Sequence, residues 1–414
     1  MQTIYKPTVL AAAMAAASGV AGANPIPENI SQPDNALKAL TGFNHNETAL
    51  MKDLGLHFGG WVDFGYTHNF DSSDNFNTPV TFNFRNDRVL LNQVNLFVER
   101  AVDTEGNAWD IGGRVDFMYG SDSPFTQAAG LEISDGGKQK WVGNTNSGNN
   151  INKLAMPQAY LEVFAPVLNG ITAKFGHFYT IIGYEVVTAP DNFFYSHAYT
   201  MQYGEPFTHT GALFSMPLVD NLSVTVGAVN GWDSFTADID DAWNFIGGLN
   251  WDNGVEGAGA LSAALTATHG SIAGNNGPAD DLDRSLYSIV LGYDLTDSLH
   301  LVLQHDHGWQ EQLGTDNEAH WYGINSYLTY DINDMFSVGS RMEWFRDEAG
   351  IRVIGNGKST NFYEMTVGVN FTPTHWFKVR PEVRYDWAEN SKPFDEGSQD
   401  DQLTFAVDAV VALF

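Results

Sequence analysis

The sequence predicts an all-β fold, a closed antiparallel transmembrane barrel of about 16 strands, with 14 or 18 as the alternatives. Three observations carry that reading. From Leu56 onward the apolar pattern has a period of two, the period of a strand. The segments that show it run for about 10–13 residues, against five or six in ordinary soluble strands. The connections between them alternate between short and long.

The segments are 56–68, 88–101, 108–119, 154–165, 170–180, 207–216, 221–231, 242–252, 259–270, 284–295, 299–309, 319–331, 335–347, 360–371, 376–388 and 402–413. In the first, Leu56, Phe58, Gly60, Val62, Phe64 and Tyr66 share a face, and His57, Trp61, Asp63 and Thr67 lie on the other. Tyr287, Ile289, Leu291, Tyr293 and Leu295 form an apolar face in the same way. Short connections such as Pro166–Asn169, Pro217–Asp220, Thr296–Asp297 and Asn333–Asp334 alternate with long ones such as Asn69–Asp87, Gly120–Lys153 and Ile181–Pro206. Eight long and seven short connections leave both termini on the short side. That is the asymmetry of an outer-membrane barrel, whose short turns face the periplasm.

Eleven residues at ~3.3 Å each, tilted by ~40°, rise about 28 Å, enough for a lipid-facing band of ~25 Å. An unpaired peptide group in lipid costs several kcal/mol, so the sheet must close on itself, with its apolar face outward. Two aromatic belts fit the two interfaces. Tyr66, Tyr119, Trp243, Tyr287, Tyr322, Trp344 and Trp387 stand near loop-side ends; Trp109, Trp251, Tyr293, Tyr330 and Phe371 stand near turn-side ends. A secreted β-sandwich or propeller explains the alternation but not the strand lengths, the connections or the belts. Two places fit poorly. Pro381 sits inside a strand, where its missing donor calls for a bulge or an edge. The last strand alternates so that Phe414 falls on the wrong parity, which a bulge near Ala409–Ala412 would restore.

Composition narrows the partners. Lys+Arg is 20 against Asp+Glu 50, a formal charge of −30. That excludes a nucleic-acid binder, which needs a basic footprint. With no cysteine, disulfides and thiolate metal sites are excluded. Residues 1–23 read as a signal peptide: Lys6, an apolar run from Val9 to Ala17, then Ala21-Gly22-Ala23 before a cleavage site. Residues 24–54 are not strand-like and read as a short periplasmic extension, with weak helical spacing at Ala36–Leu40 and Thr48–Leu54. The barrel proper occupies 55–414.

Four stretches carry a family resemblance. Gly183-Tyr184-Glu185, Ala189-Pro190-Asp191-Asn192-Phe193-Phe194-Tyr195-Ser196, Glu205-Pro206-Phe207-Thr208-His209-Thr210-Gly211 and Asn230-Gly231-Trp232-Asp233 resemble the OmpL-like β-barrel porin family of Gram-negative outer membranes. Gly60-Trp61-Val62-Asp63 and the terminal Phe414 look like that family too. The resemblance spans essentially the whole mature chain. It implies an outer-membrane porin, a terminal aromatic read by the barrel-assembly machinery, and no catalytic residues.

The polar parity gives candidate pore-lining residues: Arg114, Asp116, Glu162, Lys174, Arg341, Glu343, Lys378, Arg380, Glu382 and Arg384. Either these charges pair across the wall of a wet lumen, or a basic stripe, Lys378, Arg380 and Arg384, faces an acidic loop across a constriction. Loop Ile181–Pro206 is unusually aromatic for a solvated loop. Its constriction candidates are Glu185, Asp191, Phe193, Phe194, Tyr195 and Glu205, whether it folds into the lumen or packs over the mouth. Other long loops are acidic at Asp238, Asp240, Asp241, Asp280, Asp281, Asp283, Asp395, Glu396, Asp400 and Asp401. They suit a solvated face, or divalent-cation bridges to lipopolysaccharide. His305-Asp306-His307 has metal-like spacing, but parity puts both imidazoles on the lipid side, so no metal and no cofactor is expected.

The expected function is passive diffusion of small hydrophilic solutes or ions through a charged aqueous lumen. The alternatives are an outer-membrane enzyme, or a substrate-specific transporter or adhesin on the same barrel. Expected partners are outer-membrane lipid, lipopolysaccharide, the assembly machinery and the solutes; a homo-oligomer is left open. The acidic mouth favours cations, most strongly at low salt. Removing Phe414 should lower the amount of protein in outer-membrane fractions while leaving the conductance of inserted channels unchanged. Normal levels after the deletion would contradict the reading of Phe414 as an assembly signal.

Overall fold

The computed structural model describes residues 35–72, 75–134, 137–141, 151–236, 243–272, 282–312 and 317–414. The signal-peptide reading, the first part of the extension, and Asp238, Asp240, Asp241, Asp280 and Asp281 lie outside the described residues.

Sixteen strands form a closed antiparallel barrel. They are β1 His57–Asn69, β2 Arg88–Arg100, β3 Asp110–Gly120, β4 Lys153–Ala165, β5 Ile171–Tyr179, β6 Thr208–Val219, β7 Leu222–Val229 and β8 Asn244–Asp252. The second half is β9 Leu261–Ser271, β10 Asp283–Thr296, β11 Leu299–Glu311, β12 Glu318–Asn333, β13 Phe336–Asp347, β14 Thr360–Thr374, β15 Phe377–Glu389 and β16 Asp401–Ala412. Each pairs with its sequence neighbours, and β16 closes on β1. Every expected segment overlaps one strand. β6 and β14 run furthest past their expected ends, because register shifts after Pro217 and after Phe371 carry their ladders into the turns.

Alternation along the strands sorts the side chains. Phe64, Leu161, Leu265, Ile324, Met342 and Val383 are exposed on the outside, while Asp63, Glu162, Thr266, Asn325, Arg341 and Glu382 are buried inside. The outer residues meet lipid, where apolar surface is at home. Near the loop-side rim the aromatics find polar partners. Tyr66 donates to Asp87 at 2.8 Å, and Tyr363, Trp387 and Tyr385 stack in series at 5.2 and 5.5 Å.

Pro381 needs no bulge at its own position. Its ladder to β16 is unbroken, with Pro381 opposite Val407. On the β14 side the pairs Gly368–Glu382 and Phe371–Val379 keep one register and the two rungs between them are missing. The lost donor therefore appears as a gap in one ladder, and the register shift comes later, after Phe371.

The expected bulge at Ala409–Ala412 is also absent. The β1–β16 register is regular down to Trp61–Ala412. The strand stops there, Leu413 adds one more bond in the same register, and Phe414 leaves the ladder. Leu413 N–H donates to the Gly60 carbonyl at 2.8 Å, and the freed Phe414 ring packs on Phe58 at 4.9 Å and on His45 at 5.4 Å.

The segment before β1 closes this seam. It holds two short helices, α1 Ala36–Thr41 and α2 Ala49–Leu54. Asn35 caps α1 through its side chain, and Gly42 and Gly55 end the two helices at positive φ, where a β-carbon would be strained. In the β1–β16 register Phe58 faces the position one beyond the chain's end. Asn46 occupies that vacancy: its amide donates to Phe58 O at 3.0 Å and its carbonyl accepts from Phe58 N at 2.9 Å. Leu37 N–H adds a bond to Leu413 O at 3.1 Å. Asn46→Ala should lower the unfolding free energy by about 1 kcal/mol, as expected for loss of paired hydrogen bonds. Urea titration of the folded barrel in detergent checks this, and an unchanged midpoint would contradict the role given to Asn46.

Candidate functional site

The 28-residue connection between Tyr179 and Thr208 is the longest between two strands whose residues are all described. It does not lie over the mouth. From Ile181 to Glu205 most of its side chains are buried, and its polar bonds run to inward-facing residues on both sides of the barrel. On β2, Gln93 donates to Val187 O at 2.7 Å and accepts from Ala189 N at 3.1 Å, and Asn92 reaches Tyr195 Oη at 2.9 Å. Nearly opposite, on β11 and β12, Gln304 donates to Glu205 at 2.6 Å and Trp321 Nε1 donates to Gly204 O at 3.0 Å.

The charged residues of β13 and β15 bond the same loop. Glu382 accepts from Tyr195 N at 2.9 Å and from Ser196 N at 3.1 Å. Glu343 accepts from Tyr199 N, Thr200 N and Thr200 Oγ1, each at 2.6 Å. The cations take the carbonyls. Lys378 donates to Pro190 O at 2.8 Å, Arg380 to Ala189 O at 2.8 Å and to Asn192 O at 2.7 Å, and Arg384 to His197 O at 2.5 Å. Arg341 donates to Ser196 O at 2.6 Å and to Glu185 at 2.7 Å. Burial alone would raise the Glu185 carboxyl, but Arg341, His197 and the Ala198 N–H outweigh it and hold it at about 2. A carboxylate lowered in this way stabilises the fold above its ordinary value of about 4.5 and loses that effect as pH falls toward 2.

The basic stripe is therefore not a bare wall facing an acidic loop. Its arginines are matched within the wall, Arg380 by Asp408 and Arg384 by Asp386 at 2.7 Å, as Arg341 on β13 is by Glu364 at 2.6 Å. Its remaining donors hold loop carbonyls. Of the loop candidates, Glu185, Tyr195 and Glu205 make polar bonds to the wall. Phe194 lies under the Arg341 guanidinium at 5.1 Å and against Phe193 at 4.9 Å. Asp191 turns back to accept from Thr188 at 2.5 Å.

The wall makes room with glycines. A β-carbon on Gly65 would lie 2.0 Å from Tyr195 Oη, and one on Gly323 would lie 2.1 Å from Thr200 Oγ1. A larger residue at either position would need the Tyr195 or Thr200 side chain to give way.

The other four lining candidates form a separate group on β3–β5. Arg114 pairs with Asp116 at 2.6 Å and with Glu99 at 3.5 Å. Lys174 stands 4.0 Å from Glu162 and 4.3 Å from the Tyr160 ring centre. Neither pair bonds the loop. Sequence reasoning missed Glu364, Asp408, Gln304 and Gln93 as lining residues. All lie on the polar parity of their strands, so the signal was present, but nothing in one strand tells which charge a neighbouring strand will oppose. His305 and His307 do face outward, where His307 meets His320 at 3.1 Å. Among the described residues no group of three or more His, Cys, Asp or Glu is arranged to hold a metal ion.

Residues 55–413 match the family described as "Putative beta-barrel porin-2, OmpL-like". The chain belongs to this family. Solved structures repeat the architecture. OmpT of Vibrio cholerae superposes with a TM-score of 0.56 at 13% identity, over 86% of this chain and 97% of that one. An anion-selective porin from Comamonas acidovorans gives 0.56 at 11%, over 86% and 99%. The outer membrane channel DcaP of Acinetobacter baumannii gives 0.53 at 13%, over 86% and 97%. At these identities the likeness is one of fold. No curated protein sequence matches significantly. Family and fold together make this chain a porin-like channel of the bacterial outer membrane.

Removing one member of a buried ionic network leaves its partners uncompensated, at a cost of about 3–5 kcal/mol. Arg341→Met in this porin should therefore destabilise the folded barrel by that order, read as a lower melting temperature in detergent. A melting temperature within a degree or so of wild type would mean that the network around Glu185 and Glu364 does not hold the loop.

Proposed function

We propose that this porin passes small hydrophilic solutes by passive diffusion, and that Ile181–Pro206 is the constriction that sets its conductance. The observation that carries the reading is the loop's attachment around the wall: to Asn92 and Gln93 on β2, to Arg380, Glu382 and Arg384 on β15 three strands away, to Glu343 on β13, and to Gln304 on β11, nearly opposite β2. A segment held by its peptide groups at so many points is a fixed obstacle, not a swinging gate. Solutes then pass beside it along a wall of paired charges, which favours hydration over tight binding. On this reading lipid covers the outer face and the terminal Phe414 serves assembly.

Replacing Ala189–Gln202 with a short Gly/Ser linker should raise single-channel conductance several-fold in planar bilayers. Unchanged conductance would place the limiting section elsewhere. The pair Arg380→Gln and Arg384→Gln should act in the same direction by loosening the loop. A fall in conductance in that double variant would show that the arginines act as a filter and not as anchors.

A further inference from the structure

The other inward-facing arginines described above, Arg114, Arg341, Arg380 and Arg384, each hold a carboxylate. Two arginines near the loop-side mouth do not. Arg284, at the start of β10, and Arg352, in the β13–β14 connection, form no ion pair among the described residues. Their guanidiniums lie over one indole, that of Trp232, at 4.6 and 5.5 Å from its ring centre. Arg352 also stacks on Trp321 at 4.7 Å, and the two indoles meet edge to face at 6.2 Å.

The hydrogen bonds are as telling. Among the described residues each guanidinium donates only from Nε: Arg284 to Gln310 at 3.0 Å, and Arg352 to Tyr203 O at 2.7 Å. Among the described residues the terminal nitrogens of both, the pair that grips an oxyanion as a fork, have no protein acceptor. The nearby acids are engaged elsewhere. Asp347 accepts from the backbone of Ile351, Arg352 and Val353, and Asp233 from that of Phe207 and Thr208. Burial draws the Arg352 guanidinium down to about 10, against the opposing pull of Asp347 and Asp233, neither of which forms an ion pair with it. Two neighbouring guanidiniums with no ion-pair partner are costly in a part-buried site unless something anionic joins them.

We propose that Arg284, Arg352 and Trp232 form a binding site for small organic anions bearing carboxylate or phosphate oxygens, at the mouth just above the point where the loop rejoins β6. The forks take the oxyanion, and the Trp232 face holds both guanidiniums in place. The site deepens the porin reading by naming a solute class, and rests on it only for what happens after capture. An anion held here is concentrated at the entrance to the narrow section, against the repulsion of an acidic surface.

Calorimetry on the detergent-folded full chain tests it, with succinate and inorganic phosphate as separate probes and glycerol as the neutral control. Wild type should bind at least one anion saturably and more weakly as salt rises, with glycerol showing nothing; the tighter probe identifies the headgroup. Arg284→Gln with Arg352→Gln should weaken binding by about tenfold or more, the loss of a charged hydrogen-bonded contact. Arg352→Lys, which keeps the charge and loses the fork, should weaken it too, and covers the case in which the double variant fails to fold. No saturable anion binding in wild type, or equal binding in folded variants, overturns the site. Bilayer conductance measured on the same samples separates the two claims: binding without conductance would count against the channel reading and leave the site standing.

Discussion

A chain segment that crosses the inside of a barrel takes its peptide groups away from bulk water, and each of them then needs a partner. The interior of this porin is organised around that requirement. Glutamates 343 and 382 accept loop N–H groups, while Lys378, Arg380, Arg384 and Arg341 donate to loop carbonyls. The same side chains balance one another through Glu364, Asp386 and Asp408. Charge placed on the inner wall does two things at once: it keeps the lumen polar, and it supplies a hydrogen-bonding surface for a loop that has no strand to pair with.

The arrangement explains why the loop is aromatic as well as polar. Tyr195, Tyr199 and Phe194 fill the space between backbone and wall, over Gly65, Phe362 and Gly368. Small residues on the inward face and large ones on the loop are complementary halves of one packed surface. Directly above this section, Arg284 and Arg352 keep their terminal donors unused while the arginines below have theirs taken. The contrast separates a structural cation from one available to a solute.

Much of the fold was legible in the residues. Period-two segments of unusual length located all sixteen strands, and the alternation of connections set the termini at the short-turn end. On strand 376–388 the polar parity carries Lys378, Arg380, Glu382, Arg384 and Asp386, of which the last four are buried and Lys378 half-buried. What the residues withheld is what depends on neighbours. The gap beside Pro381, the escape of Phe414 onto Phe58, and the use of Asn46 as a substitute rung are settled by register, which no single strand encodes. Trp232 stood out only as part of a family-like stretch, because Arg284 and Arg352 reach it from connections and strand ends far away in sequence.

The attachment of the loop across the lumen is the claim on which the rest stands, and the absence of native cysteine makes it directly measurable. An ideal β-carbon on Gly323 would lie 3.0 Å from the Thr200 β-carbon, close to the span of about 3.5–4.5 Å that a disulfide bridges. The double variant Thr200→Cys with Gly323→Cys, folded in membranes and mildly oxidised, should form an intramolecular disulfide in nearly every molecule, seen as loss of maleimide labelling that reductant restores. Two free thiols that remain open to maleimide under the same conditions would mean that the loop does not lie against β12, and the account of a wall built to hold it would fail.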